Sequence, residues 1–383
     1  MDRATKVKRA YILATSLQKF GVGWSFSTYV LFLLGQGMTL FEANLLNTGF
    51  MVASFLLDPP TGYLGDRIGQ RRIYLVGQLF WAISMLVYGT STTFAQFLAA
   101  ELAAAIGSAL ISGALDSWMR NQVGEAETHK ALSQGGSISQ LVSIPAAVGG
   151  GFIGALYGLD KPWLIGSACS FAALVIAYLA LRGFASHEKK EDVKFAIRGI
   201  ARHSMSNPAL RFTIIIAFFQ TLLLQPFNMF WAPIFKELSG ETWWLGSFWV
   251  GITLAIATGS HLAQGKLQQL NGKGIALALF AIGLPMLFTP FGRSTYIVAG
   301  LFLIHEGGRG AVVPLIFTYA NRHIPDEVRS TSNSIRSSAS TLGAGIGLVT
   351  SGYLTFFLSP IQIWGIASAG IILLSLYAIA RKE

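Results

Sequence analysis

The sequence is poor in charge and nearly without cysteine. Of its 383 residues only 12% are Asp, Glu, Lys or Arg, against about 25% in soluble domains. The single cysteine, Cys169, lies inside an apolar run, which excludes a disulfide framework and a thiolate metal site. No grouping of His, Cys, Asp and Glu has metal-ligand spacing, and no Ser/His/Asp order points to hydrolysis. The phosphate-cradling pattern G-x-x-x-x-G-K-S/T is missing, as is any soluble segment large enough to hold a nucleotide, which removes ATP-driven work. The composition therefore argues against an enzyme, and no cofactor or metal is expected. Met1 to Arg9 is polar and the apolar stretch after it is too long for the core of a signal peptide, so no cleavable leader is expected.

Apolar residues are abundant, at 52%. At ~1.5 Å per residue a membrane crossing needs about 20 of them. Twelve stretches qualify, near 10–34, 40–62, 73–90, 94–120, 131–157, 163–182, 209–234, 243–264, 274–291, 295–320, 331–358 and 361–380. If both termini share one side, that side's loops collect 23 of the 28 Lys and Arg residues, and the opposite loops hold only Lys161, Lys236 and Arg293. An odd number of spans would destroy this asymmetry, which places both termini in the cytoplasm of a multi-pass protein of the cell membrane. The net charge of +10 is thus topological: the basic residues are spread over short loops, leaving the lipid bilayer, not nucleic acid, as the surrounding partner.

The longest connection, 183–208, divides the spans six and six. It carries Phe195, Ile197 and Ile200 among basic residues, the composition of a helix lying in the membrane interface. The expected domains are a bundle over 1–182, this linker, and a second bundle over 209–383. The halves also echo one another. Trp118-Met119-Arg120-Asn121-Gln122 returns as Tyr319-Ala320-Asn321-Arg322-His323, about 200 residues later, each followed by an acid and a Ser/Gly-rich span. Duplicated six-helix halves suit a secondary transporter.

Between the second and third spans lies Gly62-Tyr63-Leu64-Gly65-Asp66-Arg67-Ile68-Gly69-Gln70-Arg71-Arg72. Its three glycines permit a tight loop at the membrane surface with Asp66 free to meet a helix end and Arg67, Arg71 and Arg72 facing anionic lipid. The pattern resembles the signature loop between helices 2 and 3 of the major facilitator superfamily, with Gln70 where that family usually has arginine. The resemblance implies an all-α membrane protein of twelve transmembrane helices in two pseudo-symmetric six-helix bundles. It also implies alternating access, with Gly62, Gly65, Asp66, Arg67, Gly69, Arg71, Arg72 and Arg120 forming a conformational switch. Three further stretches are similar to the drug:proton antiporter branch, of the tetracycline and macrolide efflux type. They are Pro60-Thr61-Gly62, Gly113-Ala114-Leu115-Asp116-Ser117-Trp118, and Asn321 to Thr331 with Ser334. Span 5 has Pro145 followed by Gly149-Gly150-Gly151, similar to the glycine-proline element of antiporters but equally suited to plain small-residue helix packing.

Charges inside spans are costly and each is a functional candidate. They are Lys19, Asp58, Glu101, Asp116, His305, Glu306 and Arg309. In the superfamily, spans 1, 4, 7 and 10 line a central cavity. That assigns Lys19, Trp24, Gln220, Gln225, Asn228, His305 and Arg309 to substrate contact, with Tyr296 beside them. Proton-coupling candidates are Glu306, Asp116, Asp58 and Glu101. Glu101, Ser108, Ser112 and Asp116 fall within an arc of roughly 80°, one polar stripe on span 4. Glu306 and Arg309 are spaced to pair. Structural readings stand beside these: a cluster of Asp58, Asp116, Arg120 and Asp66 near one membrane face, a solvated Glu101, a permanent Glu306–Arg309 pair, and histidines serving only as polar packing. The leading expectation is a monomeric exporter of a lipophilic or amphiphilic small molecule in exchange for protons. The competing expectation is a proton-coupled or facilitative importer of a small nutrient.

Overall fold

The computed structural model describes residues 2–184 and 207–381, apart from 293 and 325. The linker expected over 183–208, with its interfacial helix, lies almost entirely outside the described residues. Fourteen α-helices are present among them, and they trace twelve crossings. In the first half they are α1 (Arg3–Gly23), α2 (Tyr29–Gly35), α3 (Leu40–Ile68), α4 (Gln70–Thr90), α5 (Phe94–Ile111), α6 (Ala114–Val123), α7 (Glu125–Tyr157) and α8 (Lys161–Leu181). In the second half they are α9 (Pro208–Ser239), α10 (Leu245–Leu262), α11 (Asn271–Leu287), α12 (Thr295–His323), α13 (Asp326–Leu354) and α14 (Pro360–Ala380). Ten of these paths are each long and apolar enough to cross a membrane.

The backbone divides into two compact units, Met1–Asp192 with Thr242–Trp249, and Val193–Glu241 with Val250–Glu383. Inside the first, α1 packs on α7 and α8, and α4 packs on α5 and α8. Inside the second, α9 packs on α13 and α14, and α11 on α12 and α14. These are the same pairings in corresponding order. Side chains repeat too: Asn121 Nδ2 donates to Gln70 Oε1 at 2.9 Å, and Arg322 Nη1 donates to Asn271 Oδ1 at 2.9 Å. Each contact ties the end of a unit's fourth crossing to the start of its third.

Helix starts follow local chemistry. Thr39 with Glu42, Thr93 with Gln96, and Ser359 with Gln362 form reciprocal capping boxes at the starts of α3, α5 and α14, satisfying backbone donors that have no partner in the first turn.

The expected surface loop at Gly62–Arg72 is instead helix. α3 runs through Gly62 and Gly65 to Ile68, and only Gly69, at φ 101°, separates it from α4. A helix satisfies its own backbone hydrogen bonds where a loop would not, so a single left-handed residue is spent on the turn. In the second half the corresponding junction is longer, a π-helical turn at Ala263–Leu267 with Gly265 off helical geometry.

Two crossings are interrupted. The first breaks at Trp24–Thr28 between α1 and α2, and the fourth at Ser112–Gly113, where Gly113 adopts φ 67°. The first break is seated on α7: Ser27 Oγ donates to the Ala147 carbonyl at 3.2 Å, and a Cβ on Gly150 would overlap the Trp24 carbonyl oxygen. Gly343 and Gly347 of α13 abut the Phe218 and Leu222 carbonyls of α9 in the same manner. The glycine-rich runs thus serve close helix packing in both halves.

Candidate functional site

In the second unit, α12 brings His305, Glu306 and Arg309 together. Arg309 Nη1 donates to Glu306 Oε1 at 2.7 Å. Glu306 is 1% exposed, and its other oxygen, Oε2, has no hydrogen-bond partner. His305, also fully buried, holds the Ile282 carbonyl of α11 through Nδ1 at 2.9 Å. A carbonyl can only accept, so Nδ1 carries the ring proton, and in the neutral ring Nε2 is the acceptor. Nε2 has no partner and stands 4.0 Å from Glu306 Oε1. Two lone-pair acceptors therefore sit side by side with one proton too few to join them. The walls are aromatic: Phe227 and Phe302 lie 4.4 and 5.5 Å from the imidazole, ring centre to ring centre, and Trp364 stacks on Phe302.

Phe227 links this group to α9, where Asn228 Nδ2 donates to Gln225 Oε1 at 3.3 Å and Gln225 Nε2 donates to the Thr221 carbonyl. Gln220 is buried on the same helix. Tyr296, expected beside these residues, is 89% exposed at the start of α12.

The first unit disperses its expected residues. Glu101 is not solvated: it is 5% exposed and accepts at Oε1 from Tyr88 at 2.5 Å and from Tyr29 at 2.7 Å. Trp163 stacks on Tyr88 with 4.1 Å between ring centres. Asp116 accepts from Tyr11 at 2.7 Å. The polar stripe drawn through Glu101, Ser108, Ser112 and Asp116 is interrupted, because Ser112 and Gly113 leave the helix. Asp58, Lys19 and Arg120 are exposed on α3, α1 and α6. Trp24 is half-buried at the break, its ring against Gly149.

Within the switch segment, Arg71 Nη1 donates to the Leu181, Arg182 and Phe184 carbonyls at 3.2–3.3 Å. It caps the end of α8, where a cation also meets the negative end of the helix dipole. Arg72 reaches the Ile68 carbonyl at 3.5 Å, and Arg67 is exposed. Gln70 is buried and occupied by Asn121. The side-chain surroundings of Gly62 and Asp66, and those of Asp326 to Thr331, lie outside the described residues.

Sequence reasoning missed Tyr29, Tyr88 and the Ile282 carbonyl, none of which carries a local signal. Among the described residues no group of His, Cys, Asp and Glu is placed to hold a metal.

Twelve helical crossings in two bundles with the same helix pairings, with Glu101 and Glu306 buried among them, are the architecture of a multi-pass membrane protein. The family model described as Major Facilitator Superfamily matches residues 11–348, and the chain belongs to that family. It is similar to the uncharacterized MFS-type transporter MJ1560 of Methanocaldococcus jannaschii, 23% identical over 47% of each chain. It is also similar to multidrug resistance protein 2 of Bacillus subtilis, 26% identical over 38% of this chain and 37% of that one. The chain thus spans less than half the length of these two relatives. Among solved structures, the nucleoside transporter NupG superposes with a TM-score of 0.75 at 12% identity over 99% of both chains, a likeness of fold alone.

Proposed function

We propose that the protein exports a lipophilic or amphiphilic small molecule in exchange for protons, by alternating access, as a monomer in the cell membrane with both termini cytoplasmic. Glu306 carries the proton in this reading, and the observation that carries the reading is its unsatisfied Oε2, together with the partnerless acceptor Nε2 of His305 at 4.0 Å from Oε1 of the same carboxylate. A proton arriving at Glu306 satisfies a buried orphan oxygen and neutralises the carboxylate, which loosens its hold on Arg309. Loss of the proton restores the pair. Each state has one advantage and one penalty, so a change in surroundings during transport can tip the balance. The released guanidinium, with Gln225 and Asn228, is available to a polar edge of the substrate, while Phe227 and Trp364 suit an apolar body. The segment Gly62–Arg72 with Arg120 acts as the conformational switch, consistent with its one-residue turn at Gly69.

Export is favoured by the similarity to a Bacillus subtilis multidrug resistance protein and by the stretches that resemble drug:proton antiporters. The test is a thermal-shift screen of the purified protein against lipophilic drugs and polar metabolites, followed by transport of the best-stabilising compound in proteoliposomes. Stabilisation by lipophilic compounds and transport against an imposed proton gradient support the reading. Stabilisation by polar nutrients alone, with uptake, contradicts it.

A further inference from the structure

A second concavity lies within the second unit, unrelated to the Glu306 group. It is an apolar groove of about 490 Å³ formed by α10, α11 and α12 and lined by residues that include Thr258, Leu262, Leu277, Ala281, Ile304 and Gly307. Its origin is steric. A Cβ on Gly259 would overlap the Gly307 carbonyl, and one on Gly310 the Ile256 carbonyl, so the backbones of α10 and α12 touch and no side chain fills the channel beside them. Leu277 and Ile304 flank it, 50% and 57% exposed. In a membrane-spanning unit such a face meets hydrocarbon, not water.

One end of the groove is charged. Lys273 is one turn before Leu277 on α11, and Arg322 is three turns after the lining residue Ala311 on α12. Both therefore project along the groove's own line at the end where α10 stops and α11 begins. Lys273 is exposed, and Arg322 is held there by the Gln268 carbonyl at 2.7 Å and by Asn271. On the α10–α11 side nothing in the sequence opposes Lys273: from Thr242 to His305 the chain contains no Asp or Glu, while His261, Lys266 and Lys273 fall in that stretch, and the acids nearest Arg322 in sequence, Asp326 and Glu327, follow it beyond the end of α12. An apolar channel that ends under two cations complements an amphiphile with an acyl tail and an anionic head.

We propose that this groove binds an anionic glycerophospholipid, with one acyl chain along α10, α11 and α12 and the phosphate at Lys273 and Arg322. The tail is held by burial of its methylenes, and the head by charge-assisted hydrogen bonds. Each basic residue near the headgroup plane is worth roughly a fivefold gain in affinity for an anionic lipid.

The test uses the full-length protein in detergent, titrated with phosphatidylglycerol or phosphatidylcholine of identical chains, with bound lipid counted by native mass spectrometry. The expected result is one retained phosphatidylglycerol with an affinity about tenfold or more above that of phosphatidylcholine. Lys273→Ala should reduce this preference about fivefold. Gly307→Leu should remove the retained lipid, because a Cβ there meets only the Ala255 carbonyl at 3.7 Å and the side chain enters the groove. Ala281→Leu serves as an independent filling variant should Gly307→Leu not fold. Equal affinity for the two lipids, or competition by inorganic phosphate as effective as by the lipid, overturns the proposal. So does unchanged lipid binding in a folded filling variant that has lost transport, which would mark the groove as a substrate portal.

Discussion

Tyr88 and Tyr29 both donate to the same carboxylate oxygen of Glu101, at 2.5 and 2.7 Å. Tyr29 is the first residue of α2, and Tyr88 lies near the end of α4. One buried acid therefore fixes the point at which the interrupted first crossing resumes. Removing it in Glu101→Ala leaves two buried hydroxyls without their acceptor, at about 1–3 kcal/mol each. Glu101→Gln keeps an acceptor oxygen and should stay close to wild-type stability. Thermal unfolding in detergent distinguishes the two variants. Equal Tm values for Ala and Gln would show that the hydroxyls find other partners. A fully stable Glu101→Gln variant that loses proton coupling would instead move the proton site to Glu101.

The end of α7 nearest Lys130 is tied to α1 by an ion pair between Lys8 and Glu127, with Lys130 adding a second contact at 3.2 Å. The hydrogen bond from Lys8, then that from Lys130, holds the Glu127 carboxyl below the ordinary carboxylate range. A depressed acid contributes stability that is present above its unfolded value, near 4.3, and is lost as pH falls through the folded value. Lys8→Ala should lower Tm slightly at pH 7, and the difference from wild type should vanish as pH falls through the folded value of Glu127. Raising the salt concentration should shrink it as well. A Tm difference that persists at acid pH would assign the effect to packing of the lysine stem.

Glycines on α7 divide by surroundings. A Cβ on Gly150 would overlap the Trp24 carbonyl at the first break, whereas one on Gly136 meets nothing within 4 Å. Gly136→Ala should raise stability by about 0.5–1 kcal/mol through helix propensity. Gly150→Ala should lower it by about 1–3 kcal/mol, because backbone on both sides must move apart. Chemical denaturation of the two variants reads the sign directly, and a stabilised Gly150→Ala would mean that α7 does not support the break.

Hydropathy alone made the twelve crossings legible, because backbone hydrogen bonding leaves a membrane segment little choice but helix. The echo of Asn121 and Arg322 was legible as sequence and proved to be one contact made twice. The Gly62–Arg72 segment misled for a physical reason. Glycine permits a loop but does not require one, and here only Gly69 takes a positive φ. The breaks after Gly23 and Ile111 stayed hidden, since neither carries a proline, and Gly113 is one of many glycines in the spans. The companions of Glu101 and His305 were illegible because they come from other helices: Tyr88 from α4, and the Ile282 carbonyl from α11. Periodicity on one helix names a polar residue but not what will face it.

Proton coupling through Glu306 is tested most directly by transport of Glu306→Gln in proteoliposomes under an imposed proton gradient. The substrate is the compound that best stabilises the wild-type protein. The introduced glutamine has the size of a protonated glutamate but cannot release a proton. The account predicts that gradient-driven transport is lost, by about a hundredfold or more, while substrate binding and substrate-for-substrate exchange without a gradient remain measurable. Full gradient-driven transport by Glu306→Gln would contradict the account, leaving Glu306 and Arg309 as a structural pair and moving the coupling proton elsewhere.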